Sequence, residues 1–306
     1  MSGPQRAIGS RAVWPIGLGG AQWTFSGQPE RASTAVIHAA LDAGVTLVDT
    51  ARAYTTTDHP SSNEALLARA LADHPRGDVV LVATKGGHFR AGEHDFPIDG
   101  RPSVLRSHVE GSLRHLRRNT LSLYLLHWPD PNVPLEESVG ALSDLRDEGK
   151  IEMLGLSNVS LDQVRLAQTV TTIQAVQNRL SLLDPTDADL ARTLSAEGIA
   201  FLAHSPLGGP GCRPGLAEGV PGAATVAERH GVSVQQVALA WLLRVAPNVI
   251  PIVGATRPVT IADSAAAATL ALTADDARDL DHARDLDDTP DPDDTPDLDG
   301  PAPGVL

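Results

Sequence analysis

The chain has a single cysteine in 306 residues. That excludes an internal disulfide. Cys212 also lies in a Gly/Pro-rich stretch with no partner motif, so a reduced, cytoplasmic setting is expected. Aromatic residues are scarce, with four Trp, two Tyr and four Phe, so the place of each one is informative. No apolar run approaches the ~18 residues of a membrane-spanning helix. The opening stretch, MSGPQRAIGSRAVWP, lacks the continuous apolar segment of a secretory signal. No stripe of Lys and Arg points to nucleic acid, so the expected partner is a small molecule.

Positive charge is also short: 24 Lys and Arg stand against 38 Asp and Glu, a net charge of −14. Half of that excess sits in residues 287–306, DDTPDPDDTPDLDGPAPGVL, with seven aspartates and no Lys or Arg. Such a segment buries too little apolar surface to offset its ordering entropy. Residues 1–286 are therefore expected to fold and 287–306 to form a disordered acidic tail.

What the chain has in abundance is alternation. Short apolar runs at 14–20, 45–49, 79–85, 121–127, 151–157, 172–177, 199–205 and 248–254 read as strands. Amphipathic stretches at 30–44, 103–118, 135–149 and 232–246 read as helices, and Gly44, Gly149 and Gly198 stand where a left-handed cap suits glycine. Strands that are apolar almost throughout imply burial on both faces, hence a parallel sheet covered by helices. Eight such units over about 250 residues predict a single (β/α)8 TIM barrel. A doubly wound open sheet is the rival, but GLGG at 17–20 lacks the third glycine of a dinucleotide fingerprint.

In a barrel the C-terminal strand ends share one face. The last polar residues of successive runs are Asp49, Lys85, His127, Ser157 with Asn158, Gln177, and His204 with Ser205. Singly, each suits a bland reading as a cap, a solvated end or a structural imidazole. Together they place three ionisable groups from three neighbouring strands on one rim. Tyr54, in VDTARAYTTT, falls in a polar loop five residues after Asp49, with no core reason to be aromatic. An ammonium favours a phenolate beside it, so Lys85 is expected to draw the Tyr54 pKa down from its usual value of about 10. Asp49 would hold Lys85 charged, and His127 would orient a carbonyl. Trp23, Phe25, Phe89, Phe96 and Trp128 also fall in loops after strands and predict an apolar substrate wall.

VDTARAY, ATKGG, LYLLHWPD, GLSNVS and LAHSPLGG, in that order, closely resemble the aldo-keto reductases. The resemblance runs from about Gly17 to about Ala267. It implies a barrel that binds NADP(H) and reduces an aldehyde or ketone, with Asp49, Tyr54, Lys85 and His127 as its catalytic tetrad and Tyr54 as proton donor. It further implies that Ser157, Asn158 and Gln177 hold the nicotinamide carboxamide and that His204 stacks on the ring. Ser205, Pro206, Leu207 and Gly209 would line the pyrophosphate, and Gly254, Arg257, Asp263 and Ser264 would face the rest of the cofactor. By the same resemblance NADPH is preferred over NADH, although Thr260 stands where many relatives carry a further arginine. Arg179 stands where tyrosine is frequent. Three other readings compete: a nicotinamide-binding sensor with little turnover, reduction of a cyclic imine, and a metal-dependent hydrolase using Asp49, His127 and His204. Lys85 among such ligands would repel a cation, so no metal is expected.

Overall fold

The computed structural model of the protein describes residues 3–56, 62–92, 95–209 and 215–285. Cys212 and the acidic segment 287–306 lie outside them. The chain opens with an antiparallel hairpin, β1 (Arg6–Ile8) and β2 (Arg11–Val13). Eight parallel strands follow: β3 (Gly17–Gly19), β4 (Leu47–Asp49), β5 (Leu81–Gly86), β6 (Leu121–Leu126), β7 (Ile151–Ser157), β8 (Ala175–Arg179), β9 (Ala200–His204) and β10 (Val249–Gly254). β10 pairs with β3, and the sheet closes into a barrel in sequence order. All eight predicted strands are present, and the TIM barrel is the fold.

The helices are α1 (Ala21–Phe25), α2 (Glu30–Asp42), α3 (Ser62–Ala72), α4 (Pro102–Leu116), α5 (Leu135–Asp147) and α6 (Leu161–Gln168), then α7 (Ala188–Ala196), α8 (Gly215–Gly219), α9 (Pro221–His230), α10 (Val234–Val245), α11 (Pro258–Ala266) and α12 (Ala274–Asp285). The four helices read from periodicity are α2, α4, α5 and α10. Gly44, Gly149 and Gly198 take φ of 99°, 77° and 72°, a left-handed conformation that a Cβ would oppose.

Two apolar layers hold the barrel. The larger packs sheet against helices, where Leu18, Val48, Leu126, Leu156 and Phe201 meet Val36, Leu105, Leu142 and Trp241. The inner layer fills the barrel with Leu47, Leu81, Leu123, Leu125, Met153, Leu202 and Ile250, joined by Ile8 and Val13 from the hairpin. The hairpin, absent from the sequence reading, is the plug of the N-terminal end. Arg11 clamps Glu152 at the start of β7, and the Trp14 amide donates to the Thr46 hydroxyl at 2.8 Å. Arg6 donates to the carbonyls of Leu243 and Ala246 at the C-terminus of α10, where a cation is favoured. With that end closed, the opposite face is left to form a cavity.

Candidate active site

The strand ends carry out the delivery that their spacing implies. Asp49 ends β4, Lys85 stands one residue from the end of β5, and His127 follows β6, its amide donating to the Gly86 carbonyl at 2.9 Å. The Lys85 ammonium is fully buried, 2.6 Å from Asp49 Oδ2, 3.0 Å from the Thr50 carbonyl and 3.5 Å from Tyr54 Oη. The Tyr54 loop is fastened to β5: Thr50 and Arg52 donate their amides to the carbonyls of Ala83 and Lys85. Asn63 ties the same loop to α1, accepting from Thr50 Oγ1 and donating to the Gly20 carbonyl and Thr24 Oγ1. Nothing in the spacing of the sequence marked Asn63, because its contacts reach across two loops.

A cavity of about 490 Å³ opens above these groups. Asp49, Tyr54, His127, Ser157, Asn158, Gln177, His204, Ser205, Pro206, Leu207, Gly209 and Gly254 all line it. Gln177 Nε2 donates to Asp49 Oδ1 at 2.9 Å, so both carboxylate oxygens are held by protein donors. Ser157 Oγ donates to the Gln177 carbonyl at 2.8 Å. Asn158 Nδ2 donates to the His127 carbonyl at 3.0 Å, and its Oδ1 lies 3.3 Å from His204 Nε2. Asn158 and Ser205 sit at strand ends with φ of 58° and 52°, a conformation costly for residues with a Cβ. Arg179 ends β8 and straps the loop after β9, donating to the Gly208 carbonyl at 2.7 Å while its Nε lies 3.3 Å from Asp184.

Several expected placements differ. Trp23 is 3% exposed and packs in the outer core, because AQWTF folds as the one-turn helix α1. That turn directs Phe25 and Gln22 into the cavity and Trp23 away from it. Phe89 also lies outside the lining, its ring 5.4 Å from His108. After Gly87, with φ of 83°, the chain runs extended and bridges His88 to Ile98, so neighbouring side chains face opposite ways. His88 and Phe96 therefore join Phe25 and Trp128 in the wall. Arg257 is the exposed N-cap of α11, Ser264 is buried, and Asp263 accepts from Ser233 Oγ and Gln236 Nε2 on the α10 side. None of these three lines the cavity, whereas Gly254 and Thr256 do.

The electrostatics correct one expectation. Burial pushes the Tyr54 phenol up, Lys85 pulls it down, Asp49 pushes it up again, and the net direction is above its usual 10. Desolvation would lower the Lys85 ammonium, but Asp49 and Tyr54 outweigh it and the net direction is upward. Lys85 thus stays charged and Tyr54 keeps its proton at neutral pH. His127 is pushed well below its usual 6.5, first by burial and then by Lys85, and His204 falls to about 4 for the same reasons in the same order. Both imidazoles are neutral.

This arrangement can donate a proton from a phenol and a hydrogen bond from a neutral imidazole to one oxygen placed in the cavity. The family model described as Aldo/keto reductase family matches residues 15–285. A probable aldo-keto reductase 1 of Glycine max is 32% identical over 280 residues, covering 82% of this chain and 79% of that protein. The glycerol dehydrogenase structure from Gluconobacter oxydans superposes with a TM-score of 0.82 at 28% identity, covering 96% of this chain and 99% of that one. An aldo/keto reductase structure from Klebsiella pneumoniae, in complex with NADP and acetate, gives 0.78 at 26% identity, covering 92% and 95%.

Proposed function

The chain belongs to the aldo/keto reductase family, and from that premise we propose that it reduces an aldehyde or ketone to an alcohol with NADPH, Tyr54 acting as general acid. The observation that carries this reading is the buried contact of Lys85 with both Asp49 and Tyr54 beneath a cavity. The lining suits a nicotinamide nucleotide in its chemistry. Ser157, Asn158 and Gln177 bring a hydroxyl and two amides to one side, matched to a carboxamide, and the planar His204 ring lies beside them. Ser205, Pro206, Leu207 and Gly209 form the wall along which a pyrophosphate would run, and Arg257 offers an exposed cation for a 2′-phosphate. When bound, the cofactor supplies the hydride.

The protein's residues supply the rest. His127, neutral, donates a hydrogen bond to the carbonyl oxygen and orients the carbonyl over the cofactor face. Tyr54 holds its proton until negative charge develops on that oxygen, then transfers it, because an alkoxide is a far stronger base than a phenolate. Lys85 stabilises the phenolate left behind, and Asp49, gripped by Lys85 and Gln177, keeps the ammonium aimed at Tyr54 Oη. Phe25, Phe96 and Trp128 exclude water from the reacting face.

The test is NADPH oxidation in the presence of an activated aromatic aldehyde. Turnover is expected for the native chain, with a loss of about 10²–10⁴-fold in kcat for Tyr54→Phe. Equal rates in the two proteins would remove Tyr54 from the mechanism. No turnover of any carbonyl, with NADPH still bound, would favour a sensor instead.

A further inference from the structure

We propose that Arg90 is a positioning residue for proton transfer: it clips the Tyr54 loop to the apolar wall of the cavity and so sets where the phenol stands. This rests on the reading of Tyr54 as general acid above and adds to it a residue outside the cavity lining.

Arg90 belongs to the excursion between Gly87 and Asp99, which leaves β5 and returns. Backbone bonds close it: the Asp99 amide donates to the Gly87 carbonyl at 2.7 Å, the Phe89 amide to Pro97 at 3.2 Å and the Ala91 amide to Asp95 at 2.9 Å. Along extended chain, residues two apart share a face, so Arg90 turns the way of His88, towards the mouth, while Phe89 turns away. Its guanidinium then meets its own loop, the Tyr54 loop and α1 together. Nε donates to the Gly92 carbonyl at 2.9 Å, and Nη1 donates to the Thr55 carbonyl at 2.6 Å, one residue beyond Tyr54. The carbon at its centre lies 5.9 Å from the ring centroid of Phe25 and 5.5 Å from that of Phe96. Those rings meet edge-on at 6.1 Å, and Phe25 meets the Tyr54 ring at 5.9 Å. A planar fork can donate in two directions and still offer its face to aromatic rings, which the single charged point of a lysine cannot.

How the Tyr54 loop is held decides where its phenol stands. Ahead of Tyr54, the amides of Thr50 and Arg52 are bonded to β5. Behind it, the Thr24 hydroxyl donates to the Tyr54 carbonyl at 3.3 Å, a long bond, and Arg90 supplies the short one to the next carbonyl. Tyr54 Oη already lies 3.5 Å from the Lys85 ammonium, at the outer limit of a hydrogen bond. A shift of about 1 Å would part them, and misplacements of that size cost up to about 10²-fold in rate. The phenol would lose both the cation that stabilises its phenolate and its line to the carbonyl oxygen.

The experiment follows NADPH oxidation with an activated aromatic aldehyde in the native full chain, Arg90→Met, Tyr54→Phe and the two substitutions together. Arg90→Met keeps an apolar stem and removes the fork. It is expected to lower kcat about tenfold while KM stays within about threefold. In the Tyr54→Phe background the same change is expected to lower kcat less than about twofold, since no phenol is left to place. An equal loss in both backgrounds would mean that Arg90 supports the fold at large and overturns the assignment, as does an undiminished kcat in Arg90→Met. Hydrogen exchange read by mass spectrometry is the second measurement. Arg90→Met is expected to speed exchange in the peptide carrying residues 51–56 at least about threefold and to leave the barrel strands unchanged. Unaltered exchange in that peptide overturns the clip. If the native chain reduces no carbonyl, the general-acid reading fails by itself, and the exchange measurement still decides whether Arg90 holds the Tyr54 loop.

Discussion

The two ends of the barrel follow opposite rules. The N-terminal end is closed by Ile8 and Val13, both at most 2% exposed, and its charges, Arg6 and Arg11, reach outward to carbonyls and to Glu152. The C-terminal end buries an ammonium and a carboxylate, leaves imidazole nitrogens unpartnered and holds Asn158 and Ser205 in left-handed backbone. One end is closed by apolar packing; the other holds buried charge and left-handed backbone beside a cavity. Burying Lys85 with Asp49 is tolerable only because each has further partners, Thr50 for the amine and Gln177 for the acid.

That contrast can be broken at the mouth first. Lys85→Met is expected to abolish reduction and to cost about 3–5 kcal/mol of stability, since Asp49 is left buried without its cation. Adding Asp49→Asn should restore part of the stability and none of the activity, as urea unfolding beside NADPH turnover would reveal. If the single variant unfolds like the native protein, the buried Asp49 carboxylate does not depend on its cation. At the plug the expectation reverses. Ile8→Ala is predicted to lose about 2–4 kcal/mol by opening a cavity in the inner layer, while kcat per folded molecule stays within twofold. A matching loss of kcat would show that the two ends are coupled.

The smallest effect sharpens the comparison through pH. His108, on α4 against the chain that leaves β5, is 8% exposed and accepts a hydrogen bond from the Gly87 amide on Nδ1, which holds it neutral. Burial, then Arg52, lowers its pKa from 6.5 to about 4. The unfolded chain thus takes up the proton first, so this stabilisation is complete above pH 6.5 and is lost as the pH falls toward 4. Between pH 7 and 5.5 the loss is about 1 kcal/mol. His108→Gln should flatten that part of the stability profile measured by urea unfolding, and an unaltered slope would assign the acid sensitivity elsewhere.

Much of this was legible in the residues. Eight apolar runs at regular spacing demand a covered parallel sheet, and the polar residue ending each run is delivered to one rim because parallel strands all end on the same side. Asp49, Lys85, His127, Gln177 and His204 meet for that reason. The hairpin was not legible, because two three-residue strands carry too little periodicity to separate from a loop. Trp23 and Phe89 were misplaced, because counting aromatics after strands says nothing of which way a one-turn helix or an extended loop turns them.

Sequence alone determined the barrel and the polar groups that end its strands, since both follow from the order of apolar and polar residues along the chain. Tertiary structure decided the state of those groups. Tyr54 sits 3.5 Å from an ammonium yet has its pKa raised, because burial outweighs the neighbouring charge, and no pattern of residues reports how much water a fold removes. Likewise only the folded turn after Gly87 brings a second imidazole beside His127, by a contact 39 positions apart in the chain.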